Sequence, residues 1–172
     1  MNPMKEIRIE KVTLNIGAGK DQNLLKKGVK LLKSITGIEP VQTVTQKRIP
    51  TWGLRPGLPV GCKITLRGKK AEELIPRLLD ARDFTLEHNH FDPHGTISFG
   101  IPEYIDIKGA QYDPDIGIIG LQACVTLERR GFRVKRRRLQ TSRIGKSHTI
   151  TKEEAQQFMN KKFNVRIGEV ES

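Results

Sequence analysis

Four side chains within seven residues, His88, His90, Asp92 and His94, are of types that ligate metal ions. No cysteine and no second ligand group stands near them in the sequence, and loops collect His and Asp for other reasons. The cluster alone does not make a metal site. Asn15-Ile16-Gly17-Ala18-Gly19-Lys20 sets glycines and a lysine after a strand-like run, which invites comparison with a phosphate-cradling loop. The G-x-x-x-x-G-K-[ST] spacing is absent, and Asp21 stands where Ser or Thr would hold magnesium. The simpler role is a tight turn feeding a helix, with backbone N–H groups free for a phosphate. His148 is alone, and no Cys–His or Ser–His arrangement stands out. Neither a metal, a cofactor nor an enzymatic reaction is expected.

The cations are a stronger signal. The 172 residues carry a formal net charge of +12, and such a molecule attracts polyanions and releases their counterions on binding. Nucleic acid leads; an anionic membrane surface is the other option. No run of about 18 apolar residues exists to cross a membrane. Met1 to Lys11 has no apolar segment of the secretory kind. Cys62 and Cys124, each in an alternating apolar context, read as buried, reduced thiols of a cytosolic protein.

Charge is unevenly spread. Pro40 to Ala71 holds seven basic residues (Lys47, Arg48, Arg55, Lys63, Arg67, Lys69, Lys70) and no acid. Arg129 to Lys146 holds nine, among them Arg133, Lys135, Arg136, Arg137, Arg138, Arg143 and Lys146, again with no acid. Arginine dominates this second window, which suits bidentate contact with phosphate. Asp83 to Asp115 reverses the sign, with seven acids against Lys108 alone. RNA would be repelled there; the segment either docks a basic protein or faces solvent. The first window also carries a Gly/Pro loop, Arg48 to Gly61, bearing Trp52. That aromatic either stacks on a base or sugar, or anchors the loop.

These residues need a scaffold. Ile7 to Ile16 alternates as a strand, with Val12, Leu14 and Ile16 on one face and Thr13 and Asn15 on the other. Asp21 can cap a helix whose stripe is Leu24, Leu25, Leu31, Leu32 and Ile35, ending at Gly37. A second strand runs from about Val41 to Gln46. A third turns Cys62, Ile64 and Leu66 one way and Lys63, Thr65 and Arg67 the other. A helix follows from Lys69 to about Leu79, with Pro76 obscuring its start or its middle. Thr96 to Ile101, Tyr104 to Ile107 and Leu121 to Leu127 read as strands. A last helix starts at Thr151, with Glu154 at the capping-box offset, and ends near Lys162.

The fold class is therefore α+β: one domain with a mixed or antiparallel sheet, helices packed on one face, and the other face and loops left for RNA. The division expected is a core over residues 1–128 and a basic extension over residues 129–172 ending in a helix. Like-charge repulsion argues that this extension is unordered without RNA. The exposed sheet face, rich in Thr, Asn, Lys and Arg, suits phosphate and 2′-hydroxyl contacts. It lacks the aromatic pattern of the common RNA-recognition motif.

Three runs carry a resemblance: Ile9-Glu10-Lys11-Val12-Thr13-Leu14-Asn15-Ile16-Gly17, Thr36-Gly37 through Gln46-Lys47, and Gly57-Leu58-Pro59-Val60-Gly61-Cys62-Lys63-Ile64-Thr65-Leu66-Arg67-Gly68. With Arg82-Asp83-Phe84, Asn89-His90-Phe91-Asp92 and Gly95 to Ile101, they resemble large-subunit ribosomal protein number five, a 5S rRNA binder. The resemblance covers about Lys5 to Gly131. Ile144-Gly145-Lys146 and Thr151-Lys152-Glu153-Glu154-Ala155 are similar to the archaeal and eukaryotic branch. The chain begins almost at the first strand, where the bacterial form places a long helix.

The resemblance implies a cytoplasmic, ribosomal, structural role. It implies partners as well: 5S rRNA in the central protuberance, large-subunit rRNA, P-site tRNA, neighbouring 5S-associated proteins and, across the subunit interface, small-subunit protein thirteen. Thr13, Asn15, Lys20, Thr43, Thr45, Lys47, Lys63, Thr65 and Arg67 are then expected to hold rRNA. Arg48, Trp52, Arg55, Pro56 and Gly57 are expected near tRNA. Arg133, Lys135, Arg136, Arg137, Arg138, Arg143 and Lys146 would add RNA contacts. The acidic segment matches the bridge region. A free-standing RNA chaperone or regulator is the alternative, which sedimentation with large subunits separates from a ribosomal protein.

Overall fold

A computed structural model describes residues 2–168. The end of the expected extension, residues 169–172, lies outside the described residues. The chain is α+β. A five-stranded sheet has the order β2-β3-β1-β6-β5, where β1 is Ile7–Gly17, β2 Val41–Val44, β3 Pro59–Leu66, β5 Thr96–Ile101 and β6 Leu121–Arg129. β2 runs antiparallel to β3, with Val41 opposite Lys63 and Thr43 opposite Gly61. A second, two-stranded sheet pairs β4 (Thr85–Glu87) with β7 (Arg166–Gly168) in parallel. The helices are α1 (Gln22–Thr36), α2 (Lys69–Asp80), a single turn α3 (Arg133–Arg136) and α4 (Lys152–Phe163). Among the described residues, no helix is long and apolar enough to cross a membrane.

The residues form two compact units. One comprises residues 13–66 and 100–123. There the Asp21 side chain accepts the N–H groups of Asn23 and Leu24 and starts α1, and Gly37 ends it in the left-handed conformation. Leu25, Leu31, Leu32 and Ile35 bury the helix stripe, while Leu24 is only half-buried. Gly28 lets α1 sit close to the sheet: a Cβ there would lie 3.1 Å from Cys62 Sγ and 3.2 Å from Ile16 Cγ2. Leu14, Ile16, Cys62 and Ile64 form the sheet side of this core. Burial pushes the Cys62 thiol pKa up, which keeps it protonated.

Tyr104 to Ile107 is not a strand. Tyr104–Asp106 is a 3-10 turn, and Tyr104 is 1 % exposed. Its N–H donates to Ile119 O and its hydroxyl accepts the Asp113 N–H at 3.0 Å. Apolar alternation gave the segment a strand look. What it buries is one aromatic whose hydroxyl organises the following loop.

The other unit comprises residues 2–12, 67–99 and 124–168. α2 runs from Lys69 to Asp80 straight through Pro76, an interior position where the helix forgoes the hydrogen bond that proline cannot donate. Its stripe is Ala71, Leu74, Ile75, Leu78 and Leu79. Ile150, Ala155, Met159 and Val165 are fully buried, so α4 belongs to this core. Thr151 caps α4 and Glu154 returns the bond to the Thr151 N–H at 3.0 Å. After α4, Arg166 N–H donates to Phe84 O and β7 pairs with β4. Neither strand shows in the sequence, since each is three residues long. Cys124 is half-buried rather than buried, and the Ser98 hydroxyl points at its sulfur.

Candidate nucleic-acid interface

In the unit of residues 13–66 and 100–123, alternation sends the polar residues of three strands to one face. Thr13 and Asn15 are half-buried, and Lys63 and Thr65 are exposed. Thr43 sits opposite Gly61, and its Oγ1 would be 3.1 Å from a Cβ at that glycine. The same Cβ would meet Ile16 O at 2.7 Å, so only glycine lets β1 and β3 approach here. Asn15 Nδ2 donates to Gln122 Oε1 at 3.1 Å. Gln122 therefore belongs to the face, and the alternation of Leu121, Ala123 and Val125 was the signal that placed it there. Lys63 carries no ion pair to a described residue, leaving its ammonium available to an anion.

The loop between β2 and β3 is more regular than its Gly/Pro content suggests. Thr45 N–H and Oγ1 both donate to Leu58 O, and Gly57 N–H donates to Thr45 O, extending the ladder beyond the strands. Ile49 and Leu54 form a bridge around a 3-10 turn at Pro50–Trp52. Leu54 is buried and anchors the loop, while Trp52 is 67 % exposed. The Trp52 ring therefore presents an accessible aromatic surface. Lys47, Arg48, Arg55, Pro56 and Gly57 are exposed around it.

The turn after β1 differs from expectation. Ala18 and Gly19 N–H groups both donate to Val60 O, at 2.8 and 3.0 Å, and Asp21 N–H donates to Ala18 O. These donors hold the turn to β3 and are not open to a phosphate. Exposed Lys20 remains the only member of the run with a side chain for an anion.

The acidic segment is partly used within the same unit. Lys30 of α1 reaches Asp113 at 2.7 Å and Asp115 at 3.1 Å. Hydrogen bonds to Asp113 and Asp115 hold the Lys30 ammonium pKa above the usual lysine range. The Lys30 ammonium and the Asp115 N–H hold Asp113 below the usual carboxylate range. Glu103, Ile105, Asp106, Tyr112 and Ile118 are left exposed.

In the unit of residues 2–12, 67–99 and 124–168, Arg67 is exposed and has no ion pair to a described residue. The basic stretch here is drawn to acids distant in sequence. Arg129, 4 % exposed, donates to Glu154 Oε1 at 2.6 Å. Arg130 pairs with Glu6. Arg136 bridges Glu10 at 2.7 Å and the buried Glu128 at 2.6 Å, and Arg8 binds the same Glu128. The repulsion that argued for an unordered extension is thus relieved by Glu6, Glu10, Glu128 and Glu154. Arg137 Nε donates to Gln140 O. Arg133, Lys135, Arg138, Arg143 and Lys146 are exposed with no ion pair to a described residue.

Two histidines of the cluster make structural hydrogen bonds, one to the backbone and one to a side chain. His90 Nδ1 accepts the Glu87 N–H at 3.0 Å, and His88 Nδ1 lies 2.9 Å from Gln156 Nε2. Among the described residues, no three His, Cys, Asp or Glu side chains gather as metal ligands.

Polar faces bearing exposed cations, an exposed tryptophan loop and an acid-free basic stretch are the features of a protein suited to meet a polyanion. Comparison with known proteins makes that class specific. A family model described as ribosomal protein L5 matches residues 2–55, and one described as the C-terminus of the same ribosomal family matches residues 59–145. The large ribosomal subunit protein uL5 of Sulfurisphaera tokodaii is 47 % identical over 170 residues, 98 % of this chain and 96 % of the relative. That of Nanoarchaeum equitans is 49 % identical over 167 residues, 96 % of this chain and 98 % of the relative. That of Methanococcus maripaludis is 44 % identical over 168 residues, 96 % of this chain and 93 % of the relative. The chain belongs to the ribosomal protein uL5 family. It is a structural constituent of the large subunit of the cytoplasmic ribosome and not an enzyme.

Proposed function

We propose that the chain binds 5S rRNA and helps anchor it in the central protuberance. The observation that carries this reading is the polar face of Thr13, Asn15, Thr43, Lys63, Thr65 and Gln122, whose lysine has no carboxylate partner among the described residues. Phosphates and 2′-hydroxyls match that mixture of one cation with many small donors and acceptors. Arg67 and the unpaired cations Arg133, Lys135, Arg138, Arg143 and Lys146 add phosphate contacts, to 5S or large-subunit rRNA. Trp52 and Arg55, on a loop fixed at its base by Thr45 and Leu54, contact the P-site tRNA. The exposed Ile105, Tyr112 and Ile118, with Glu103 and Asp106, dock basic small-subunit protein thirteen as an inter-subunit bridge. Other 5S-associated proteins are its neighbours.

The test is a gel-shift titration of the purified chain with 5S rRNA against a size-matched control RNA at physiological salt. A preference of about tenfold, roughly 1.4 kcal/mol, is expected. Lys63→Glu and Arg67→Glu should each weaken 5S binding, and wild-type affinity in both would refute the placement. Equal binding to the two RNAs would favour a general RNA chaperone.

A further inference from the structure

A cleft of about 590 Å³ opens in the basic stretch, lined by Phe132, Lys135, Thr141, Ser142, Arg143 and Ile144 among others. Its size falls within the roughly 300–1,000 Å³ of small-ligand sites. It has two kinds of wall. Phe132 and Ile144, both half-buried, supply an apolar surface outside the core. Lys135 and Arg143 supply two cations, neither of which has an ion-pair partner among the described residues. Among the described residues no carboxylate lines the cleft, and its concave shape concentrates the field of the two cations.

The cleft is also held open by its own bonds. Phe132 meets the His148 ring edge-on, with centroids 5.8 Å apart and planes at 63°. His148 Nε2 is in turn 2.9 Å from Arg130 O, which fixes that buttress. Ser142 N–H donates to Val134 O at 3.2 Å and folds the far wall back toward α3. The Thr149 hydroxyl bonds to Gly145 O and secures the chain beyond it.

An aromatic and an aliphatic wall, two free cations and two hydroxyls match the parts of one nucleotide: base, phosphate and ribose. A base inside a duplex is stacked on both faces and cannot enter such a cleft, whereas an unpaired one can. We propose that this cleft holds a single unpaired nucleotide of the bound RNA, its base against Phe132 and its phosphate between Lys135 and Arg143. The proposal rests on the RNA-binding reading above and adds to it a pocket and the local RNA structure that fills it.

The test uses the full chain and one RNA hairpin in two forms, fully paired and with a single bulged nucleotide, each of the four bases being tried in the bulge. Tighter binding of at least one bulged form, by about tenfold or more, is expected. That preference should be lost in Phe132→Leu and in the double variant Lys135→Gln/Arg143→Gln. The double variant changes only exposed side chains, so it carries the test if Phe132→Leu does not fold. Equal binding of all forms by the wild type overturns the cleft assignment, as does a preference that survives both substitutions, while 5S rRNA binding by the same protein keeps the wider reading intact. Displacement of the bulged hairpin by free AMP at equal concentration overturns it in favour of a soluble nucleotide. Failure to bind both hairpins and 5S rRNA overturns the cleft and the RNA-binding reading alike.

Discussion

Arg129 and Glu154 show how a single residue's role depends on partners far away in the chain. By sequence Arg129 is one of nine cations in an acid-free window. In the fold it is nearly inaccessible, its Nε has no partner among the described residues, and Glu154 is the carboxylate that meets it. A buried guanidinium stripped of that partner is an uncompensated charge. Glu154→Gln keeps the capping-box geometry but removes the charge, so it should lower stability by about 2 kcal/mol, less than a fully buried pair because Glu154 is partly exposed. Thermal melts at neutral pH check this, and identical melting temperatures would refute it. The pH dependence follows from the same contacts. Burial pushes the Glu154 carboxyl up, but the Thr151 N–H and the Arg129 guanidinium outweigh it and leave the pKa below the ordinary value. A group with a depressed folded pKa adds stability that is complete above its unfolded pKa and is lost as pH falls through the folded one. The variant should therefore show a shallower loss of stability in acid than the wild type.

At the scale of elements, legibility tracked how local the determining interactions are. Asp21 and Gly37 bound α1 through contacts within a few residues, and both were readable. Thr151 and Glu154 mark the start of α4 in the same way. Thr151→Ala should cost about 1 kcal/mol, roughly 2–4 °C in Tm, since it leaves the Glu154 N–H without its acceptor. A melt unchanged within error would mean that packing of Ala155 and Met159, not the cap, sets where α4 begins. The polar sheet face was equally readable, because side-chain alternation needs only one strand at a time. The β4 and β7 pair was not: three-residue strands about eighty positions apart leave no periodic trace, and their pairing depends on α4 delivering Arg166 to Phe84 O. Tyr104 misled for the opposite reason, since an alternating apolar run there is read out as a turn built around one buried hydroxyl. The phosphate-loop look of Gly17 to Lys20 likewise dissolved once Val60 O took up the Ala18 and Gly19 donors.

For the molecule as a whole, the total of 31 Lys and Arg overstates the cations on offer. Sequence counts every cation alike, whereas the fold sorts them. Arg8, Lys30, Arg129, Arg130, Arg136 and Lys162 are tied to carboxylates, while Lys63, Arg67, Lys135, Arg138, Arg143 and Lys146 have no carboxylate partner among the described residues. The window from Arg129 to Lys146 therefore holds two populations. One is held by carboxylates, to the sheet through Glu10 and Glu128 and to α4 through Glu154; the other is left for RNA. This sorting has a thermodynamic signature. Each phosphate neutralised releases condensed counterions, so the logarithm of the RNA affinity should fall steeply with the logarithm of salt concentration. Neutralising Lys63 or Arg138 should reduce that slope by roughly one each. Neutralising Arg136 should instead lower the melting temperature, because it strips the buried Glu128 of one of its two arginine partners, and leave the slope near the wild-type value. Titrations of 5S rRNA at several salt concentrations, run beside melts of the same three variants, separate the populations. A slope reduced equally by all three would mean that Arg136 leaves its carboxylates for phosphate when RNA binds, and that the sorting seen in the free protein does not persist in the complex.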